Sequence, residues 1–400
     1  MTATDFAPAS APAHPTHPAR TKDTAYTRRL SGIERGYLNA AATGTPQLIQ
    51  MVIEGDGHLD PRALTEAIAL ATQANPGLAV RRRAGAWRGG GPLPPLTDLA
   101  DVGVDAPFYL RDLDVVNGPV CEVGVHQEAG TARLVVRASH IATDGRGLRN
   151  WIEDVFRVLR GQDPVGAAAV VDDTHFRAAA GTFAPAPPPV RVAPFPAVLG
   201  HGPAEAVPLW TRRRVRACPT GVTARVAAGI SKHLATDTGR IIVPVDLRRH
   251  DRSVRSTANL TAQLVLDIRR ADSWRRLHGQ ILNALARKHE VAQLDRDFLR
   301  SNPFANSLRE AQELDGDRFP CTAIITDHGR VDTEPYRTAH FQPTGFATLP
   351  MLVPYAELFL SACQIGEETE LTVSCRRRAG AQAACEALLD DIERKLTETD

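Results

Sequence analysis

The stretch RLVVRASHIATDGRGLRNWIEDVF, from Arg133 to Phe156, decides how the rest of the chain is read. Its first half alternates. Leu134, Val136, Ala138 and His140 share one face, while Arg133, Val135, Arg137 and Ser139 share the other. The pattern predicts a buried strand ending at a histidine that points inward, with Ser139 pointing away. Asp144 and Gly145 follow where the chain turns, and Gly147 eases entry into a helix whose Leu148, Trp151, Ile152, Val155 and Leu159 lie on one face. Gly161 and Pro164 end that helix. Two readings of His140 fit: a core imidazole bonded to a backbone carbonyl, or a base held in place by Asp144. A metal pair is disfavoured, because His-x-x-x-Asp shares a face only on a helix, and the strand before and the glycines after exclude one there.

Composition narrows the classes. The chain has 400 residues, more than one compact core usually supports, so two domains or subdomains are expected. Its 43% hydrophobic and 23% charged residues are ordinary for a globular protein. A net charge of +1 gives no global field for nucleic acid or a membrane surface, and neither is expected as a partner. No apolar run reaches the ~18 residues of a membrane span. The N-terminal stretch has no apolar signal-peptide core, so residues 1–25 are expected to be a disordered leader. The six cysteines have no paired zinc spacing and read as free thiols of a cytoplasmic protein; no metal site is expected.

Further signals follow along the chain. Pro46 to Gly55 reads as a first strand, and Asp60-Pro61 opens a helix with Leu64, Ala67, Ile68 and Ala71 on one face. Residues 119–140 read as two strands joined by a hairpin. The proline-rich segment 182–208 is the expected linker between an N-terminal subdomain over 26–181 and a C-terminal subdomain over 209–400. Beyond it, strands and helices alternate again, through LWTRRRVRA, RIIVPVDLRR, NLTAQLVLDI, TAIITDHG and a hairpin over AELFLSACQIGEETELTVSCRRR, to a final helix. Both halves mix strands and helices, which predicts an α/β (mixed α+β) class.

At this point SHIATDG (139–145) resembles the HHxxxDG signature of the condensation domains of nonribosomal peptide synthetases. That superfamily includes chloramphenicol acetyltransferase-like enzymes and plant-type acyltransferases that keep HxxxD. The resemblance extends in family order through SGIERGY (31–37), LDPRALTEAIALATQANPGLAVRRR (59–83), VNGPVCEVGVHQ (116–127), VPVDLRR with TANLTAQLVLDI (243–268) and IITDHGRVD (324–332). It implies two chloramphenicol-acetyltransferase-like subdomains in a V, with His140 midway along a tunnel between them.

The resemblance also implies roles. His140 would deprotonate or orient an acceptor as it attacks a thioester. Asp144 would pair with Arg248 and hold the loop, and Gly145 would let a donor arm or backbone pass close. Ser139 replaces the first motif histidine, and Ala258 replaces a glycine before a retained Asn259. Asn259, Thr326, Asp327 and His328 are candidate tunnel residues; for Asp327 and His328, a titratable group near the tunnel and a surface turn are both open. The implied protein is a freestanding, monomeric condensation enzyme of natural-product biosynthesis. It would bind no permanent cofactor and take its acyl group from the phosphopantetheine thioester of a partner carrier protein or from coenzyme A, passing it to a small-molecule amine or alcohol. The alternatives are a non-catalytic docking platform for a carrier protein or tailoring enzyme, or a cyclase using the same tunnel.

Overall fold

A computed structural model of the chain describes residues 26–42, 44–99, 103, 106–185, 194–200, 202–292, 294 and 317–399. The expected leader, 1–25, lies outside the described residues, as do 186–193 and 201 of the expected linker.

The first half begins with β1 (Thr27–Arg29) and α1 (Gly32–Ala41). Ser31 starts α1 through a reciprocal cap: its hydroxyl accepts from the Glu34 amide, and the Glu34 carboxylate accepts from the Ser31 amide. Next come β2 (Leu48–Gly57) and α2 (Pro61–Ala74), which Asp60 caps by accepting from the Arg62 and Ala63 amides. The half continues with β3 (Val80–Arg83), β4 (Ala86–Gly89), β5 (Leu96–Asp98), α3 (Pro107–Leu110), β6 (Cys121–Glu128), β7 (Thr131–Ser139), α4 (Gly145–Leu159) and α5 (Asp173–Ala180).

Within the proline-rich segment lies β8 (Phe195–Pro196); β9 (Pro208–Val215), α6 (Val222–Ser231), β10 (Thr238–Asp246) and β11 (Thr261–Arg269) follow. The chain then runs through α7 (Trp274–Ala286), α8 (His289–Ala292), β12 (Arg318–Phe319), β13 (Cys321–Arg330) and β14 (Phe341–Thr348). It ends with the hairpin β15 (Ala356–Ile365) and β16 (Glu368–Arg376), then α9 (Ala381–Thr397).

Two main sheets result. One has five strands in the order β14-β2-β7-β6-β5, the other six in the order β11-β10-β13-β15-β16-β9. Leu64, Ile68 and Ala71 of α2 and Leu148, Trp151, Ile152 and Val155 of α4 pack on Met51, Ile53, Val123, Leu134 and Val136 of the first sheet. Helices α6, α7 and α9 cover the second sheet in the same way, around Ile241, Ile325, Leu360 and Val373. The class is mixed α/β with two subdomains, as the element pattern predicts.

Three local differences from the sequence reading matter for the site. First, β7 stops at Ser139, so His140 belongs to the turn; its amide still donates to the Gln47 carbonyl at 2.8 Å and extends the β2 ladder by one residue. Second, β14 comes from the later half yet pairs along β2 in the earlier half's sheet, with Phe346 opposite Ile53. The division into 26–181 and 209–400 therefore does not separate the sheets, and an edge strand crosses between them. Third, the second face of β7 is covered as well. Val135 packs there with Phe108, Tyr109, Trp210 and Leu349, and a fully buried Arg137 pairs with Glu122 and donates to Gln50 Oε1 at 3.1 Å.

Candidate active site

The two sheets enclose a cavity of about 300 Å³. Tyr37, Leu48, Ile49, His140 and Gly145 line it from the first half, and Pro244, Gln263, Thr326, His328, Tyr355 and Phe359 from the second. One lobe is aromatic and amide-lined, with Tyr37, Gln263, Met351, Tyr355 and Phe359; the other is polar, around the start of α4 and the end of β13.

His140 sits where the lobes meet and is only half-buried, its exposed part facing the cavity. Its Nδ1 lies 3.0 Å from the Thr143 carbonyl. A carbonyl only accepts, so this contact assigns the hydrogen to Nδ1 and leaves Nε2 with its lone pair. Asn259 steadies the turn from behind, donating from Nδ2 to the His140 carbonyl at 2.6 Å. The same amide nitrogen lies 3.1 Å from Nδ1, a contact between two hydrogen-bearing atoms and no second bond. Tyr37 stacks on the imidazole, with ring centroids 4.5 Å apart and planes at 16°, and its hydroxyl lies 3.5 Å from Nε2. Burial pushes the His140 pKa below the ordinary 6.5, and Asp144 offsets only part of that. Near neutral pH the ring is uncharged, with an available lone pair.

Asp144 does not hold the imidazole. Its Oδ1 accepts from the Gly147 amide at 2.7 Å, capping α4. Its Oδ2 accepts from the Leu260 amide at 2.7 Å and from Arg248 Nη1 at 2.9 Å. Three donors, all from the scaffold, occupy the carboxylate. Arg248 also bonds Asp246 at 2.8 Å and the Ser256 and Ala258 carbonyls at 2.9 Å. Burial alone would lower the Arg248 pKa; the two carboxylates more than reverse that and keep it charged. The turn carrying His140 is thus clamped to the end of β10 and the segment before β11. Of the two sequence readings, His140 is a cavity histidine whose orientation comes from a backbone carbonyl, with Asp144 acting on the loop and not on the ring.

The remaining candidates separate. Ser139 is fully buried, lies outside the cavity lining, and its hydroxyl has no hydrogen-bond partner. Asn259 is buried behind His140 and is not part of the lining either. Thr326 and His328 line the cavity. Asp327 lines it too, though exposed to solvent, and accepts from the Gly329 amide at 2.8 Å and from the Thr223 hydroxyl at 3.2 Å. β13 runs through Asp327 and His328 to Arg330, so they belong to a strand and not to a surface turn, and alternation puts His328 on the same face as Ile324 and Thr326. Gly145 makes room for a neighbour within the chain: a Cβ there would come within 3.2 Å of the His328 ring. Among the described residues, no group of three His, Cys, Asp or Glu could hold a metal ion, and no helix is long and apolar enough to cross a membrane.

Tyr37, Arg149, Gln263 and Thr348 were not read as site residues from the sequence. Tyr37 precedes His140 by 103 positions, and nothing local marks its ring as a stacking partner. Arg149 did carry a signal, since it follows Gly145 by one helical turn on α4.

No family model and no curated protein matches the sequence. Solved structures do match along nearly the whole chain. The first condensation domain of the calcium-dependent antibiotic synthetase, in complex with a substrate analogue, is 15% identical with a TM-score of 0.66, covering 92% of this chain and 95% of that one. The chain has the fold of a condensation domain. A mutant starter condensation domain of the rhizomide synthetase in complex with C8-CoA shares that condensation fold at 15% identity and TM-score 0.59, over 93% and 95% of the two chains. Polyketide synthase associated protein 5 from Mycobacterium tuberculosis matches at 17% identity and TM-score 0.61, over 93% and 98%.

Proposed function

We propose that this condensation-fold chain is an acyltransferase of natural-product biosynthesis that moves an acyl group from a thioester to an amine or alcohol, with His140 as the base. The observation that carries this reading is a neutral imidazole in the lining of a cavity between the two subdomains, its Nε2 bearing a lone pair with only the Tyr37 hydroxyl 3.5 Å away. In the reaction, Nε2 takes the acceptor proton as its nitrogen or oxygen attacks the thioester carbonyl carbon. The tetrahedral adduct then breaks its carbon–sulfur bond, and the thiolate leaves with the proton returned from the imidazolium. The complexes of the solved condensation domains with a substrate analogue and with C8-CoA support a thioester donor, on a carrier protein or on coenzyme A. Asp144 and Arg248 would be positioning residues that keep the turn closed, and Asn259 would fix the His140 carbonyl behind it.

The test is intact-mass turnover of a panel of acyl thioesters with amine and alcohol acceptors, by wild type and by His140→Ala. A folded mutant, judged by its melting curve, is expected to lose about 10²- to 10⁴-fold in rate. Equal turnover in both would remove His140 from the chemistry. Carrier-protein binding without turnover by either would favour a docking role.

A further inference from the structure

The polar lobe of the cavity holds a cation that the acyl-transfer chemistry does not use. Arg149 lies on α4 one turn past Gly145, so both residues face the same way, toward the cavity and His328. Its side chain is only 13% exposed, and its nearest carboxylate, on Glu153, stays 3.7 Å away, outside hydrogen-bond range. Its Nε is buried with no partner at all. Glu153 and the Tyr336 hydroxyl stand near the rest of the guanidinium, so the open donor is Nε, and a buried N–H without a partner is costly. Beside it stands His328, against Gly145 and with Nε2 3.5 Å from the Thr348 hydroxyl.

We infer that Arg149, His328 and Thr348 form a subsite for the carboxylate of the acceptor, so that the acceptor is a free amino or hydroxy acid. The inference rests on the acyl-transfer reading of His140 and deepens it. Arg149 presents a planar fork suited to a carboxylate, and the neutral His328–Thr348 pair, whose threonine hydroxyl also bonds Ser361, can add one donor without adding charge. Burial, together with the charges of Arg149 and His140, holds the His328 pKa at about 4, so the ring is neutral near pH 7. Glu153 already stands 3.7 Å from this guanidinium, so the fit to a carboxylate rests on the shape of the planar fork and its open donor, not on charge balance. The other cations lining the cavity, Arg146 and Arg330, are exposed, and Arg146 already faces Asp246 at 4.0 Å. With its carboxylate on Arg149 and its amine or hydroxyl toward Nε2, a compact acid would span the lobe beside His140.

The experiment compares amino and hydroxy acids with their carboxamides and with the decarboxylated amines or alcohols. Turnover with octanoyl-CoA and saturation-transfer NMR binding are both recorded, for wild type and Arg149→Gln. The expected result is a preference for the acids of about 10- to 100-fold in kcat/KM, reduced to near parity in Arg149→Gln. Carboxamides used as well as acids by the wild type would overturn the subsite while leaving acyl transfer standing. If nothing turns over but the wild type binds acids selectively and the variant does not, the subsite stands and the acyl-transfer reading falls. No selective binding and no selective turnover would overturn the subsite. The wild-type comparison decides even if the variant fails to fold.

Discussion

Arg248 Nη1 lies 2.9 Å from Asp144 Oδ2, and this buried pair joins the N-cap of α4 to the end of β10. The carboxylate is saturated by donors from both halves of the molecule, so it locks the turn between them. The loop that carries His140 is therefore held by two subdomains at once, although its residues come from only one.

Removing one partner of this pair leaves the other charged and buried. Arg248→Ala is expected to cost about 3–5 kcal/mol of unfolding free energy in a denaturant titration. Asp144→Asn keeps an oxygen for the Gly147 amide and is expected to cost less. A double-mutant cycle should return a coupling energy of at least about 1 kcal/mol. Strict additivity would show that the clamp contributes nothing beyond its separate bonds.

Much of this arrangement was legible in the sequence, because its parts obey local rules. Alternation marked β7, the spacing of Leu148, Trp151, Ile152 and Val155 marked α4, and the Asp60-Pro61 pair marked the start of α2. The crossing strand β14 was not legible. Its sequence FQPTGFAT carries Pro343 and Gly345 at a break in register, and its partner β2 lies far away along the chain, with Thr344 and Glu54 290 residues apart. Tyr37 was hidden for a similar reason. Its role comes from a tertiary stack on His140, and α1 by itself shows only an amphipathic helix.

The glycines of the motif differ in what they tolerate. A Cβ at residue 147 would lie 2.7 Å from the Thr257 carbonyl oxygen, a backbone atom that cannot give way cheaply. At residue 145 it would meet the His328 ring at 3.2 Å, a side chain that can shift by a few tenths of an ångström. Gly147→Ala is expected to destabilise by about 1–3 kcal/mol or more, as overpacking does, and Gly145→Ala by clearly less. Melting curves of the two variants check the order; a reversed order would mean that the α4 entry is looser than this geometry.

The acid limb of activity should report His140. The base works only when neutral, so rate falls as pH drops through its pKa, which burial has moved below 6.5. The inflection in kcat/KM is expected below about 6.5, with full activity at neutral pH. Tyr37→Ala uncovers the ring to water and should move that inflection back upward. An inflection above about 7 in the wild type would mean that the imidazole is stabilised as a cation, contrary to its surroundings.

His328 should appear in stability instead. Its native pKa of about 4, against an ordinary 6.5, reflects burial first, then the positive Arg149 and the neighbouring His140. Between those two values the unfolded chain binds a proton that the native state refuses, so stability rises with pH across this window. The contribution is fully in place above about pH 6.5 and is lost as pH falls toward about 4. His328→Gln fills similar space without titrating, and its melting temperature should decline less over that range than the wild type's. The comparison needs only thermal melts of both proteins from about pH 7.5 to about pH 4. Parallel curves would show that water reaches the ring freely, and with it the polar lobe that Arg149 faces.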